Sequence, residues 1–243
     1  MTLHRFLVPA ERWSGPRVEF SPRQAHQLRR VLRLQAGDRV RVFDGERPCD
    51  ALVELVSSDA GRVVGEAPQA AEPLARLVAY PALLPREKFE TVLQKLTELG
   101  VSAIVPVISQ RTLVREAPDP QRLARWRAIL IEATEQSGRG RVPELRQAQP
   151  FSSAIRDGPG TRLLAYAAEP GLRLADALLN APLRTVSLFV GPEGDFEPAE
   201  VALARQAGAA IVTLGPRILR AETASPVFAA LVLYELERTR RGS

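Results

Sequence analysis

Cysteine, histidine and lysine are nearly missing from this chain of 243 residues. Cys49 is the only thiol, so neither a disulfide nor a cysteine-ligated zinc site can form within one chain. His4 and His26 are the only imidazoles, too few for a histidine-rich metal centre and a poor basis for a Ser-His-Asp triad. His26 lies among arginines in a helical segment and reads as a surface residue rather than a base. Aromatics make up 5% of the chain, so its core must be built from Leu, Val, Ile and Ala. No apolar run approaches membrane-spanning length, and Met1-Thr-Leu-His-Arg-Phe-Leu-Val-Pro9 lacks the apolar centre of a signal peptide. The expectation is a soluble cytoplasmic protein that holds no metal.

Basic residues outnumber acidic ones, 33 to 28, for a net charge of +5, and among them only Lys88 and Lys95 are lysine. Arginine suits forked phosphate contacts and stacking on bases. A general preference for Arg over Lys explains the same count, so charge alone does not select a nucleic-acid partner.

Two rhythms divide the chain. Up to about Gly65 it reads as strand-rich. Arg39-Val-Arg-Val-Phe43 alternates with period two and ends in Asp44-Gly45, a turn pair, and residues 51–56 and 62–64 read as further strands. Ser21-Pro22 starts a helix as N-cap and first helical residue, and Gly37 closes that segment. A small β-barrel with one helix fits this pattern. Residues 67–73, with two prolines and no periodicity, read as a linker. The expected domains are therefore 1–70 and 74–243.

From Leu74 strands alternate with helices. After apolar residues 77–84, Phe89, Val92, Leu93 and Leu96 recur at helical spacing over 86–99, and Gly100 supplies a stop. Residues 103–108 read as a strand. Asp119-Pro120 caps a helix with Leu123, Trp126, Ile129, Leu130 and Ala133 on one face. Strands are expected at 162–166, 185–190 and 210–214, each followed by a helix. Repeated strand–helix units predict an α/β domain with a mainly parallel sheet covered on both faces. The final helix is unusual. Val227-Phe-Ala-Ala-Leu-Val-Leu233 is apolar all round, so it is either sandwiched within the monomer or shared with a partner subunit.

The last two strands run into loops of unusual composition, Gly191-Pro-Glu-Gly-Asp-Phe196 and Gly215-Pro-Arg-Ile-Leu-Arg-Ala-Glu-Thr-Ala224. Ligands of open α/β sheets collect at such carboxyl ends. Neither loop has the dinucleotide fingerprint or the Lys-Ser/Thr ending of a P-loop. Their glycines allow close backbone approach to a ligand, Arg217 and Arg220 can project into the same crevice, and Pro226 is expected in the first turn of the final helix.

These loops, together with Lys95-Leu-Thr-Glu-Leu-Gly-Val101, Glu132-Ala-Thr-Glu-Gln-Ser137 and His26-Gln-Leu-Arg-Arg-Val-Leu-Arg33, resemble the RsmE family of SPOUT-class methyltransferases over nearly the whole chain. That family modifies N3 of a uridine in small-subunit (16S) ribosomal RNA. Asp195 stands where the family often has a third glycine. The resemblance implies a PUA-like RNA-binding N-terminal barrel, a C-terminal trefoil knot and a homodimer acting on 16S ribosomal RNA or the assembled small subunit. It also implies S-adenosyl-L-methionine held by Tyr166, Val190, Gly191, Pro192, Glu193, Gly194, Leu214, Gly215, Ile218, Leu219, Arg220, Thr223 and Ala224.

The uridine imide must lose its N3 proton, which spreads negative charge over two carbonyls, and a positioned cation stabilises that charge. Arg220 is the leading candidate and Arg217 the second. No histidine sits in these loops, so Glu193 or Glu222 is the candidate base, or the proton leaves to water, and each glutamate fits better as a loop-fixing acceptor. Arg29, Arg30 and Arg33, at helical spacing, and Arg139 and Arg141, in a glycine-rich segment, are candidates for RNA contact. A non-catalytic RNA-binding assembly factor is the alternative, disfavoured because both loop motifs are intact. A Rossmann dehydrogenase is disfavoured by the missing glycine fingerprint.

Overall fold

The structure is a computed structural model and describes residues 3–168, 171–179 and 185–241. The chain forms two compact units. One takes residues 1–72 with 131–142, the other 73–130 with 143–243.

The first unit is a six-stranded sheet ordered β1-β4-β5-β6-β3-β2. Its strands are β1 (Arg5–Leu7), β2 (Trp13–Ser14), β3 (Arg17–Glu19), β4 (Arg39–Phe43), β5 (Cys49–Leu55) and β6 (Ala60–Pro68). β1 runs parallel to β4 and the other pairings are antiparallel. The alternation read in β4 sends Val40 and Val42 into a core with Phe6, Val18, Leu28 and Val53. Helix α1 (Pro22–His26) starts as expected: Ser21 Oγ accepts from the Gln24 amide while Gln24 Oε1 accepts from the Ser21 amide, a capping box. The helix widens over 27–31 and ends well before Gly37, because Arg33 turns left-handed at φ 57°. Arg33 is therefore off the helix and does not share a helical face with Arg29 and Arg30.

The presumed linker is partly structure. Ala67 and Pro68 complete β6, and the Ala70 amide donates to Gly138 O at 3.0 Å. Arg139 lies in this unit too, only 5% exposed, with its guanidinium 2.7 Å from Glu72. Deeper still, Asp50 is fully buried and accepts from Arg5 Nε and Nη2 at 2.6 and 2.7 Å and from Arg41 Nε at 2.9 Å.

The second unit has a six-stranded, wholly parallel sheet ordered β10-β8-β7-β13-β12-β14 and a two-stranded pair, β11-β9. In chain order it contains β7 (Arg76–Pro81), α2 (Arg86–Glu98), β8 (Ala103–Ile104), β9 (Val107–Ile108), the start of α3 (Pro120–Ser137), β10 (Glu144–Leu145), β11 (Gln149–Pro150) and α4 (Phe151–Asp157). Then follow β12 (Thr161–Ala165), α5 (Leu174–Leu178), β13 (Thr185–Val190), α6 (Pro198–Gln206), β14 (Ala210–Val212) and α7 (Ala221–Arg241). The single strand expected over 103–108 is two, split at Pro106, which has no N–H to give a ladder. All four residues that signalled α2 are buried, and Gly100 follows at φ 96°.

Helix α7 buries Phe228, Ala229 and Val232 in its own unit but leaves Leu231 40% and Tyr234 64% exposed. Pro226 falls past the first turn, because the helix already starts at Ala221, with Arg220 O accepting from the Thr223 and Ala224 amides. The proline removes the bond that the Glu222 carbonyl would otherwise accept.

Candidate active site

Strands β12, β13 and β14 end at one level. Ala165 pairs with Val190 on one side and with Val212 on the other, so the segments after all three leave the sheet together. The buried apolar ends of these parallel strands make this edge, and the loops beyond it form a pocket of about 320 Å³. Its wall includes Tyr166, Val190, Gly191, Pro192, Glu193, Leu214, Gly215, Ile218, Leu219, Arg220 and Ala224, together with Arg217 and Glu222. Gly194 and Thr223 are not in the wall. Gly194 instead presents its carbonyl to Arg111 Nη1 at 2.6 Å, and Thr223 is exposed on α7.

The wall also holds residues that sequence reading missed: Lys88, Ala165, Ala167, Asp195, Thr213 and Ala221. Asp195 was legible, as an acidic residue in a glycine-rich loop. Lys88 was not, because it comes from α2, over a hundred residues before Glu193.

The 191–196 loop is tied down at several points. A Cβ on Gly191 would sit 3.1–3.2 Å from Asp195, so this position admits little beyond hydrogen. Asp195 takes the left-handed φ of 59°. Aspartate tolerates that region because its short carboxylate bonds locally. Here Oδ1 accepts from the Phe196 amide at 2.8 Å and Oδ2 from the Ala167 amide at 3.1 Å. The carboxylate thus links the loops after β12 and β13. Arg111 adds a second tie, with Nε 2.7 Å from Glu197.

Charges of both signs face the pocket. Lys88 Nζ donates to Glu193 Oε1 at 2.8 Å. That bond raises the lysine pKa, with the Glu222 field adding and Arg220 opposing. Burial pushes the Glu193 carboxyl up, but the Lys88 bond and charge win and hold it below the usual carboxylate range. Oε2 of Glu222 is shielded from solvent and meets no hydrogen-bond donor among the described residues. Arg220 and Arg217 are exposed at the rim, and Ile218 beside them is 88% exposed. Elsewhere, Arg29, Arg30, Arg33 and Arg141 are exposed. Arg139 is not a surface arginine, since burial and Glu72 occupy it. Among the described residues no group of acidic, histidine or cysteine side chains could hold a metal ion, and no helix is long and apolar enough to cross a membrane.

Residues 71–233 match the model of the RNA methyltransferase domain family. A Ribosomal RNA small subunit methyltransferase E from Synechocystis is 34% identical over 96% of this chain and 78% of its own length. The chain belongs to the ribosomal RNA small subunit methyltransferase E family. The Bacillus subtilis member is 28% identical over 93% of both chains. Among solved structures, the Neisseria gonorrhoeae methyltransferase E bound to S-adenosyl methionine superposes with a TM-score of 0.86 at 31% identity, covering 97% of this chain and 98% of its own. A Legionella pneumophila methyltransferase in complex with the same cofactor gives 0.85 at 29% identity, over 96% and 98%. The protein is thus a methyltransferase enzyme with a mixed α/β fold, and the pocket described above is its candidate active site.

Proposed function

We propose that this methyltransferase transfers a methyl group from S-adenosyl-L-methionine to N3 of a uridine in small-subunit (16S) ribosomal RNA. One observation carries the reading: both glycine-proline loops converge with the segment after β12 on a single pocket at the carboxyl edge of β12–β14. The residues present suit the cofactor. Ala165, Val190, Leu214, Ile218 and Leu219 offer apolar wall, Gly191 and Gly215 expose backbone, and Glu193, Asp195 and Glu222 offer negative charge to a cation. The cofactor, when bound, supplies a methyl group on a positively charged sulfur.

The chain's own residues supply the rest. Tyr166, Val190–Glu193, Leu214, Gly215, Ile218, Leu219 and Ala224 hold the cofactor, with Gly194 and Thr223 supporting the same loops from outside the wall. Arg220, whose side chain has no ion-pair partner among the described residues, places its guanidinium against the uracil carbonyls and stabilises the charge that grows as the imide proton leaves. Arg217 lies beside it. Glu193, held by Lys88, fixes its loop.

On the same reading, residues 1–70 form a PUA-like barrel that binds RNA and residues 74–243 form a SPOUT domain whose chain closes a trefoil knot. Arg29, Arg30, Arg33 and Arg141 contact phosphates, and the enzyme works in the cytoplasm. Leu231 and Tyr234, apolar and exposed on α7, form part of a homodimer interface.

The test has two arms. Calorimetric titration of the purified protein with S-adenosyl-L-methionine is expected to show one site per chain. Mass mapping of small-subunit RNA from a strain lacking the gene is expected to show one missing methyl-uridine. Well-folded protein that binds no cofactor, or an unchanged methylation map, defeats the proposal. An unchanged map with intact RNA binding points to an assembly factor.

A further inference from the structure

One acid of the pocket wall, Glu222, carries a solvent-shielded oxygen without a donor among the described residues, and its chemistry matches what distinguishes uracil from cytosine. Buried carboxylate oxygens are nearly always hydrogen-bonded, so an orphan on a pocket-lining side chain calls for a donor that a ligand can bring once that side chain turns into the pocket. Glu222 Oε2 is such an orphan. Glu193 does not qualify, because Lys88 Nζ already donates to it at 2.8 Å. Asp195 does not qualify either, because its two oxygens accept from the Phe196 and Ala167 amides. Of the three acids in the wall, only Glu222 has a solvent-shielded oxygen that meets no donor among the described residues.

Resting on the uridine-N3 reading above, we propose that Glu222 is the residue that reads the base: its carboxylate accepts the N3–H of the incoming uracil and takes that proton as N3 is methylated. An ionised carboxylate only accepts hydrogen bonds. Uracil offers it a donor at N3 between two carbonyls, which suit Arg220 and Arg217. Cytosine offers a lone pair at N3, which a carboxylate repels, and an amino group where uracil has its second carbonyl. The same three residues therefore favour one pyrimidine and oppose the other. Selecting a base by leaving buried polar groups unmatched on the wrong one is the stronger kind of discrimination.

The proton and electron count closes. The N3–H bond breaks and the proton moves to Glu222. The N3 electron pair forms the new bond to the methyl carbon, and the carbon–sulfur bond breaks with its pair staying on sulfur. The negative carboxylate and positive sulfonium end as a neutral acid and a neutral thioether, and the carboxyl then releases its proton to solvent. The charged neighbours of this carboxylate in the pocket are Lys88 from α2, Glu193 and Asp195 from the loop after β13, and Arg217 and Arg220 from the loop before α7.

The experiment uses full-length protein and two RNAs containing the target site, one with uridine and one with cytidine at the modified position. Without cofactor, the wild type is expected to bind the uridine RNA more tightly, and Glu222→Gln to lose most of that preference. With saturating cofactor and RNA, Glu222→Gln is expected to lower single-turnover methylation about 100-fold, within the usual range for a lost general base. Cofactor affinity of the variant is measured by calorimetry, so that the rate is read at true saturation and the loss is one of turnover rather than of cofactor binding.

The variant's rate is expected to keep rising with pH as the imide ionises unaided. A site-specific 5-fluorouridine, whose fluorine makes N3–H more acidic, narrows the gap between variant and wild type. Glu222→Asp, which keeps the carboxylate, retains part of the rate and of the base preference. A Glu222→Gln enzyme with near-normal turnover overturns the proposal. So does one equally slow on 5-fluorouridine that still prefers uridine RNA, because that pattern marks a purely structural glutamate. If the wild type itself leaves N3 unmethylated, the uridine-N3 reading falls on its own.

Discussion

Removing the Asp50 carboxylate should cost the N-terminal unit more than any surface change in it, and the size of the loss follows from the geometry. Arg5 is only 9% exposed, its guanidinium lies 3.8 Å over the Phe43 ring, and Nη1 donates to Thr134 O at 3.0 Å. Asp50 is the carboxylate it bonds directly, through two bonds of 2.6 and 2.7 Å. Arg41, whose side chain is 25% exposed, can turn to water when Asp50 is lost, but Arg5 cannot.

Breaking a buried pair from one side strands the other charge and costs about 3–5 kcal/mol. For a domain of this size each kcal/mol moves the melting point about 4–8 °C, so Asp50→Asn should lower the transition of that unit by about 12 °C or more. Differential scanning calorimetry and urea titration read the loss. The double variant Asp50→Leu/Arg5→Met, which replaces both charges with apolar groups, should recover most of it, since the pair itself contributes little net stability. A shift below about 1 kcal/mol for Asp50→Asn, or a double variant no more stable than the single, would show that Arg5 finds water or another partner.

Arg220→Ala should lower turnover on the order of 100-fold with cofactor affinity intact, and Arg220→Lys should recover only part, because a point charge lacks the forked contact. Near-normal turnover in stopped single-turnover assays shifts that role to Arg217. Leu231→Glu should give a folded monomer by light scattering and circular dichroism. Phe228→Glu should unfold the chain, since that side chain is fully buried in its own unit. A Leu231→Glu dimer refutes the interface.

Burial raises the Glu135 pKa against the opposing Leu7 amide bond and the Arg5 charge. A raised carboxyl stabilises the fold below its unfolded value and loses that contribution as pH climbs through the folded value. Glu135→Gln should therefore gain on the wild type in melting point from acid to neutral pH, and a constant difference refutes this. Arg30→Ala should weaken RNA binding and flatten its salt dependence while single-turnover chemistry at saturating RNA stays normal.

Local signals were readable where one element carried its own evidence. The 3.6-residue spacing of Phe89, Val92, Leu93 and Leu96 gave α2 because those four side chains need only one buried face. Strand β13 was bounded correctly because its buried apolar run ends in glycine and proline. What stayed hidden depended on partners far along the chain. Arg139 read as a phosphate contact because nothing nearby announces Glu72, 67 residues earlier. Lys88 read as an ordinary helix residue because its partner is 105 residues later. The left-handed turn at Arg33 also had no local mark, since arginine is not a residue that favours positive φ.

The scarcity of lysine turns the active site into something a chemist can address. Of the two lysine amines, Lys95 is held by Glu98 on the surface of α2, and Lys88 stands at the pocket wall with Glu193. An amine-reactive reagent applied to this chain has few places to go, and one of them reports on the pocket. A ligand that fills the cavity shields Lys88 and leaves Lys95 as an internal standard within the same helix. The ratio of label on the two residues then measures occupancy from a single proteolytic map, in crude lysate as well as in purified protein.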